Sequence, residues 1–272
     1  MAVDKRQNVK DKLATRAQAP QEAGTTVYQL VERMGPAIER ALPRAISPER
    51  FTRIALTAVR ANPQLQVCTH MSFLAALMQS AQLGLEPNTP LGQAYIIPYK
   101  QEAQFQIGYQ GLLELCYRTG AYQSVSAHPV YENDVFDYEF GLLPNIKHKP
   151  SKTPEGLPIY YYAVYRLQNG GYGFAVMSRE QVEAHRNRYS PSWSKGAFSP
   201  WATNFDEMAL KTVLKRALKY APKTAEIARA MAADETIKDR IEEDMFLVDS
   251  KTIEAEAAVV DEETKKEENA NE

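Results

Sequence analysis

Apolar residues recur at three- and four-residue steps from Tyr28 through Leu30, Val31, Met34 and Ile38 to Leu42. That spacing predicts a helix opening at Thr25-Thr26, which Gly35-Pro36 kinks or splits. Ser47-Pro48 predicts the next start. The hydroxyl can cap a free backbone N–H, and proline in the first turn forfeits no hydrogen bond. Phe51, Ile54, Ala55, Ala58 and Val59 keep helical spacing until Asn62-Pro63. A third helix is predicted over 72–83, stopped by Gly84.

The period then changes. Residues 94–99 and 103–109 read as two strands joined at Lys100-Gln101-Glu102. In Gln104-Phe105-Gln106-Ile107 polar and apolar residues alternate, which predicts a sheet with one wet face. Gly108 and Gly111 flank an exit into a helix over 112–118, ended by Gly120. Further strands are predicted at 125–131 and 135–140. A hairpin is predicted from 159–167 and 172–177, because Gln168-Asn169-Gly170-Gly171 supplies residues that tolerate positive φ. A short helix starts at Ser178, a loop covers 187–200, a long helix spans 205–220 up to Ala221-Pro222, and 224–233 forms one more helix. Helices, then antiparallel strands, then helices make an α+β protein rather than a doubly wound one. Residues 1–24 are polar and aperiodic and read as a mobile arm. Residues 25–222 form the main body, and 223–272 a C-terminal helix with an acidic tail.

Charge sharpens that division. The 272 residues carry a net charge of −2, but 15 of the 34 acidic and only 5 of the 32 basic residues fall in 234–272. The preceding body is therefore about +8 and the end about −10. A basic body suggests a polyanionic partner, and an acidic tail suggests a competitor for it or a recruiting element; a plain solubilising tail is the alternative. No apolar run is long enough to span a membrane. The opening Met1-Ala2-Val3-Asp4-Lys5 lacks a signal-peptide core, and the two cysteines build no disulfide framework, so a cytoplasmic protein is expected.

Catalytic patterns are missing. No Gly-Lys pair exists for a Walker A loop, and there is no dinucleotide fingerprint, Cys-x-x-Cys or Gly-x-Ser-x-Gly elbow. His70, His128, His148 and His185 are scattered, without metal-ligand spacing. Glu132, Asp134, Asp137 and Glu139 cluster, but read as a solvated β face rather than a magnesium site. A binding protein without a cofactor is expected.

Three features point to nucleic acid. On the 205–220 helix, Leu210, Leu214 and Leu218 form one stripe. Lys211, Lys215 and Lys219 form another, rotated by roughly 100°, with Arg216 beside it. Only Asp206 and Glu207 lie nearby as negative partners, so a row of cations along the flank is expected. Second, His185-Arg186-Asn187-Arg188-Tyr189, with Trp193, Lys195 and Trp201, joins phosphate-binding cations to rings that stack on unpaired bases. Trp201 reads equally as a core anchor. Third, Gln106-Ile107-Gly108-Tyr109-Gln110-Gly111 places glycines at a strand end, where another backbone or an anion can approach.

These blocks resemble the RecT family of phage and prophage single-strand annealing proteins. The resemblance runs in order from Leu42-Pro43-Arg44 through Ser80-Ala81-Gln82-Leu83-Gly84-Leu85-Glu86-Pro87 and Leu91-Gly92-Gln93-Ala94-Tyr95. It continues in the Gln106–Gly111 block, Tyr131-Glu132-Asn133-Asp134, Phe174-Ala175-Val176-Met177-Ser178-Arg179, Trp201, and Lys215-Arg216 with Lys219-Tyr220-Ala221-Pro222. It implies a β-β-β-α core and ATP-independent binding and annealing of single-stranded DNA in recombination. It also implies rings or helical filaments of identical subunits, and partnership with an exonuclease and the host single-strand-binding protein. Arg118 joins the expected DNA surface, beside Tyr117 where the family often carries a cation. The implied mechanism neutralises one strand's phosphates on Lys211, Lys215, Arg216, Lys219, Arg186 and Arg188, and leaves its bases readable by a second strand. A sequence-neutral RNA or DNA chaperone is the alternative, and a metal-dependent nuclease a distant third.

Overall fold

Thr26 starts the first helix by a reciprocal cap. Its hydroxyl accepts from the Gln29 N–H, and the Gln29 side chain accepts from the Thr26 N–H. The computed structural model describes residues 26–190 and 199–250. The expected arm 1–24, Trp193, Lys195 and the tail beyond 250 lie outside them. The first helical pattern is split at Met34 into α1 (Val27–Arg33) and α2 (Gly35–Ala41), with Pro36 in the first turn of α2. α3 (Pro48–Ala61) begins where the Ser47 hydroxyl accepts from the Arg50 N–H, and it buries Phe51, Ala55, Ala58 and Val59. α4 (His70–Leu83) starts two residues earlier than the pattern predicts and is buried along most of its length. Gly84 ends it at φ +60°, where a side chain would also press to 2.6 Å of Pro43.

β1 (Ala94–Tyr99) and β2 (Glu102–Ile107) pair antiparallel through a turn with Lys100 at φ +54°. The alternation in β2 does not give a wet face: Gln104 and Gln106 are both buried. The reason lies far along the chain. Residues 234–236 lie along the free edge of β2, with Phe105 and Thr236 in an antiparallel bridge. The Gln104 amide donates to the Glu235 carbonyl at 2.7 Å. α5 (Tyr109–Arg118) follows directly from Gly108.

The second sheet is antiparallel in the order β3 (Tyr122–Val130), β6 (Tyr160–Leu167), β7 (Tyr172–Ser178). β6 and β7 form the expected hairpin, with Gly170 at φ +85° in its turn. α8 (Phe205–Leu218) packs on this sheet, which gives the β-β-β-α order. A second hairpin, β4 (Val135–Glu139) and β5 (Asn145–Lys149), is inserted after β3. β5 carries only Ile146 as an apolar residue and acquires strand form from its partner. The expected solvated acidic face is corrected at Asp134. Its buried carboxylate accepts from the Tyr131 and Ser151 N–H groups and meets His148 Nε2 at 3.0 Å. Burial alone would raise its pKa, but these donors hold it below the ordinary value.

α6 (Arg179–Tyr189) opens with a Ser178–Gln181 capping box. It runs three residues into the predicted loop, so His185, Arg186, Arg188 and Tyr189 stand on a helix. After the short α7 (Pro200–Thr203) and α8 comes α9 (Ala225–Ala233), started by Thr224. The chain then crosses the body as a strap. Ile237, Met245 and Val248 are buried, and the Lys238 ammonium donates to the carbonyls of Met245 and Val248. Residues 234–250, acidic by charge count, are thus packed against the body along their apolar positions. Among the described residues no helix is long and apolar enough to cross a membrane.

Candidate nucleic-acid interface

α8 sits where it does because its apolar side is continuous. Val213, Leu214, Ala217 and Leu218 are buried in the main core, and Leu210 is half-buried against it. The lysine stripe one step around the helix is not a uniform row facing solvent. Lys211 is only 4% exposed, and its ammonium donates to Asp234 Oδ1 at 2.9 Å and Glu235 Oε1 at 3.3 Å. Lys215 is half-buried and donates to Asp234 Oδ2 at 2.7 Å. Asp234, its side chain fully enclosed, also accepts from the Ile107 N–H at 2.9 Å. Asp206, expected as a local partner, instead accepts from the Tyr161 hydroxyl at 2.5 Å. The acids that matter lie beyond α9, nineteen to twenty-four residues downstream. Inspection of the helix and its neighbours in sequence cannot find them.

The electrostatics follow from this clamp. Burial pushes Asp234 toward its neutral form, but the two ammonium groups outweigh it and hold the carboxyl below its ordinary range. Burial likewise opposes the charge on Lys215, and Asp234 and Glu235 overcome that, raising its pKa. Two lysines and two carboxylates leave this part of the helix locally neutral.

Further along α8 the balance changes. Arg216 and Lys219 are exposed, and neither has an ion-pair partner among the described residues. With Arg186 and Tyr189 from α6, Trp201 from α7 and Lys215, they line a hollow of about 290 Å³. His185 also faces it. Burial first, then Lys215 and Arg216, lower the His185 pKa against the opposing pull of Glu235. A second hollow of about 460 Å³ adjoins the first, with Met208 and Lys211 shared between them. Gln106, Gly108, Tyr109, Tyr95 and Glu207 line it. Members of all three sequence features therefore line two neighbouring hollows.

Not every expected residue takes the expected position. Trp201 is 7% exposed and packs edge-on against Phe205, so it is a core anchor whose rim reaches the hollow. Gly108 is explained by packing: a Cβ there would come within 1.9 Å of the Gly92 carbonyl oxygen. Gly111 meets Gln93 in the same way at 2.1 Å, so the approaching backbone is the protein's own. Arg188 lies over the Tyr189 ring at 5.3 Å and does not line either hollow. Arg118 is drawn away from the hollows. It donates to the carbonyls of Leu83 and Gly84 at the end of α4 and pairs with Glu226 at 2.7 Å. Glu235, Glu207 and Tyr95 are lining residues the pattern did not reveal. Among the described residues, no three His, Cys, Asp or Glu side chains gather as a metal site. The chemistry this surface offers is anion and ring recognition.

Known proteins resemble this chain over most of its length. The model of the RecT family matches residues 49–247. The chain is 43% identical over 204 residues to Protein RecT of Escherichia coli strain K12, covering 72% of this chain and 74% of that protein. It is 31% identical over 225 residues to the uncharacterized protein YqaK of Bacillus subtilis strain 168, covering 82% and 76% respectively.

Proposed function

The chain belongs to the RecT family, and we propose that it binds single-stranded DNA through the α6–α8 groove and anneals complementary strands in recombination without ATP. The observation that carries this reading is the convergence of Arg186, Tyr189, Arg216 and Lys219 on one hollow, with Lys215 held at its edge by Asp234. Cations from two helices face the same space, and a tyrosine stands among them. That is a phosphate track with a stacking ring beside it. Neutralising one strand's phosphates lowers its repulsion toward a second strand. Pairing and stacking in the new duplex then supply the driving force, so no nucleotide is consumed. Copies of the protein set side by side would extend the track from subunit to subunit. An exonuclease that exposes the strand and the host single-strand-binding protein are the expected partners.

The test uses two complementary oligonucleotides, one carrying a fluorophore and the other a quencher, mixed with full-length protein in the absence of ATP. Quenching faster than in the protein-free control, with binding that weakens as salt rises, is the expected outcome. Retention of no unpaired oligonucleotide at low ionic strength would overturn the reading, and magnesium-dependent cleavage would replace it with a nuclease.

A further inference from the structure

Glu235 holds an unusual position for a carboxylate. Its Oε1 atom receives the Lys211 ammonium at 3.3 Å and the Gln106 side-chain amide at 3.4 Å, on the boundary between the two hollows. A cation and a neutral donor converging on one anionic oxygen is the donor set that a phosphodiester oxygen takes. The neighbouring Asp234 differs in every relevant respect. Its side chain is wholly enclosed and bridges two lysines and a backbone N–H, whereas the Glu235 side chain is 43% exposed. Glu235 can therefore turn into solvent without unpacking anything. Its backbone meanwhile stays fixed, because its N–H donates to the Phe105 carbonyl and its own carbonyl accepts from Gln104.

The backbone adds a second, independent observation. Glu235 adopts φ +63°, a left-handed conformation that a non-glycine side chain enters at an energetic cost. The chain does not place glycine there. Strain of this kind persists where surrounding structure enforces it and gathers at functional positions. Here it turns a carboxylate onto the inner end of the cation groove.

We propose that Lys211 and Gln106 form a phosphate subsite, which the Glu235 carboxylate fills in the DNA-free protein and leaves when a strand enters. The inference rests on the single-strand reading above. It assigns Glu235 as a built-in competitor that holds the subsite shut against weakly bound anions and yields to a strand also held by Arg216 and Lys219. Asp234 stays in place throughout and keeps Lys211 aimed.

The experiment compares wild type, Glu235→Gln and Glu235→Ala for binding of a fluorescent oligothymidylate by anisotropy across a salt series. Glu180→Gln, on the exposed first turn of α6, controls for loss of one negative charge. Removing the competitor is expected to tighten binding by up to roughly fivefold at low salt, the scale of one part-exposed ion pair, with less than about a twofold change in the control. Circular dichroism melting verifies that each variant is folded. Unchanged or weaker binding by both Glu235 variants overturns the inference while leaving the single-strand reading intact. Equal tightening by the Glu180 control also overturns it, because the effect is then long-range charge. Failure of the wild type itself to bind rejects the single-strand reading and the inference with it.

Discussion

Lys211 and Lys215 belong to the same four-residue series as Lys219, with Arg216 beside it, yet the inner and outer ends of this helix do different work. At the inner end, the ammonium groups are gathered on the enclosed Asp234 carboxylate and on Glu235 and add almost no net charge. At the outer end, Arg216 and Lys219 stand in solvent without an ion-pair partner among the described residues. The chemistry of the residues is similar and their periodicity is shared. What separates them is the strap from residue 234, which covers only one end of the row. A basic stripe read from sequence is thus a statement about a helix face, not about charge available to a ligand.

The sharpest way to break this contrast is to remove the clamp. Asp234→Ala leaves Lys211 buried and Lys215 half-buried without their shared anion, which is expected to lower stability by about 3–5 kcal/mol. Urea unfolding followed by circular dichroism measures it. A loss below about 1 kcal/mol would mean that the inner lysines do not depend on the carboxylate. Replacing Arg216 and Lys219 together by alanine should do the reverse. Stability should stay within about 0.5 kcal/mol of wild type, as for exposed positions without partners. The slope of log affinity for single-stranded DNA against log salt should fall by roughly 1.4, two phosphate contacts at about 0.7 each. Anisotropy titrations at several salt concentrations report it, and an unchanged slope would remove both residues from the phosphate track.

The same contrast shows where sequence reading stops. Local rules located Thr26, Ser47, Gly84, Ser178 and Thr224 correctly, because a cap depends on atoms within a few residues. The β6–β7 turn and the apolar side of α8 were legible for the same reason. Three failures share one cause. The supposed wet face of β2, the supposed open lysine row and the reading of 234–250 as tail all depend on one long-range contact, the strap lying on β2 and α8. Nothing within a helix or strand of Gln106 or Lys211 encodes it. The extra strand β5 escaped notice because pairing with β4, rather than its own composition, makes it a strand. Of the site, the residue types were legible and the acidic counterpart was not.

The smallest expected effect concerns pH, and its sign follows from the shifts. Asp234 is held below its ordinary value of 3.8 by Lys211 and Lys215 despite burial, and Asp134 is held below the same value by its N–H donors and His148. Unfolding releases both carboxyls, so the unfolded chain binds protons more readily in this range and stability rises with pH. The contribution is complete above the ordinary carboxyl value and is lost as pH falls through the depressed values. His185 acts with the same sign at higher pH. Burial, then Lys215 and Arg216, lower it from 6.5, and His128 is lowered by burial and by His148. Both imidazoles take up a proton more easily once unfolded, so a shallow loss should begin as pH falls below about 6.5 and level off below their folded values. Urea midpoints between about pH 3 and pH 7 are therefore expected to show a shallow loss below about 6.5 and a steeper fall below about 4. Asp234→Asn and Asp134→Asn should each flatten the lower limb. If Asp234→Asn left the lower limb as steep as in wild type, the clamp on Lys211 and Lys215 would not be electrostatic, and the difference between the two ends of α8 would need another cause.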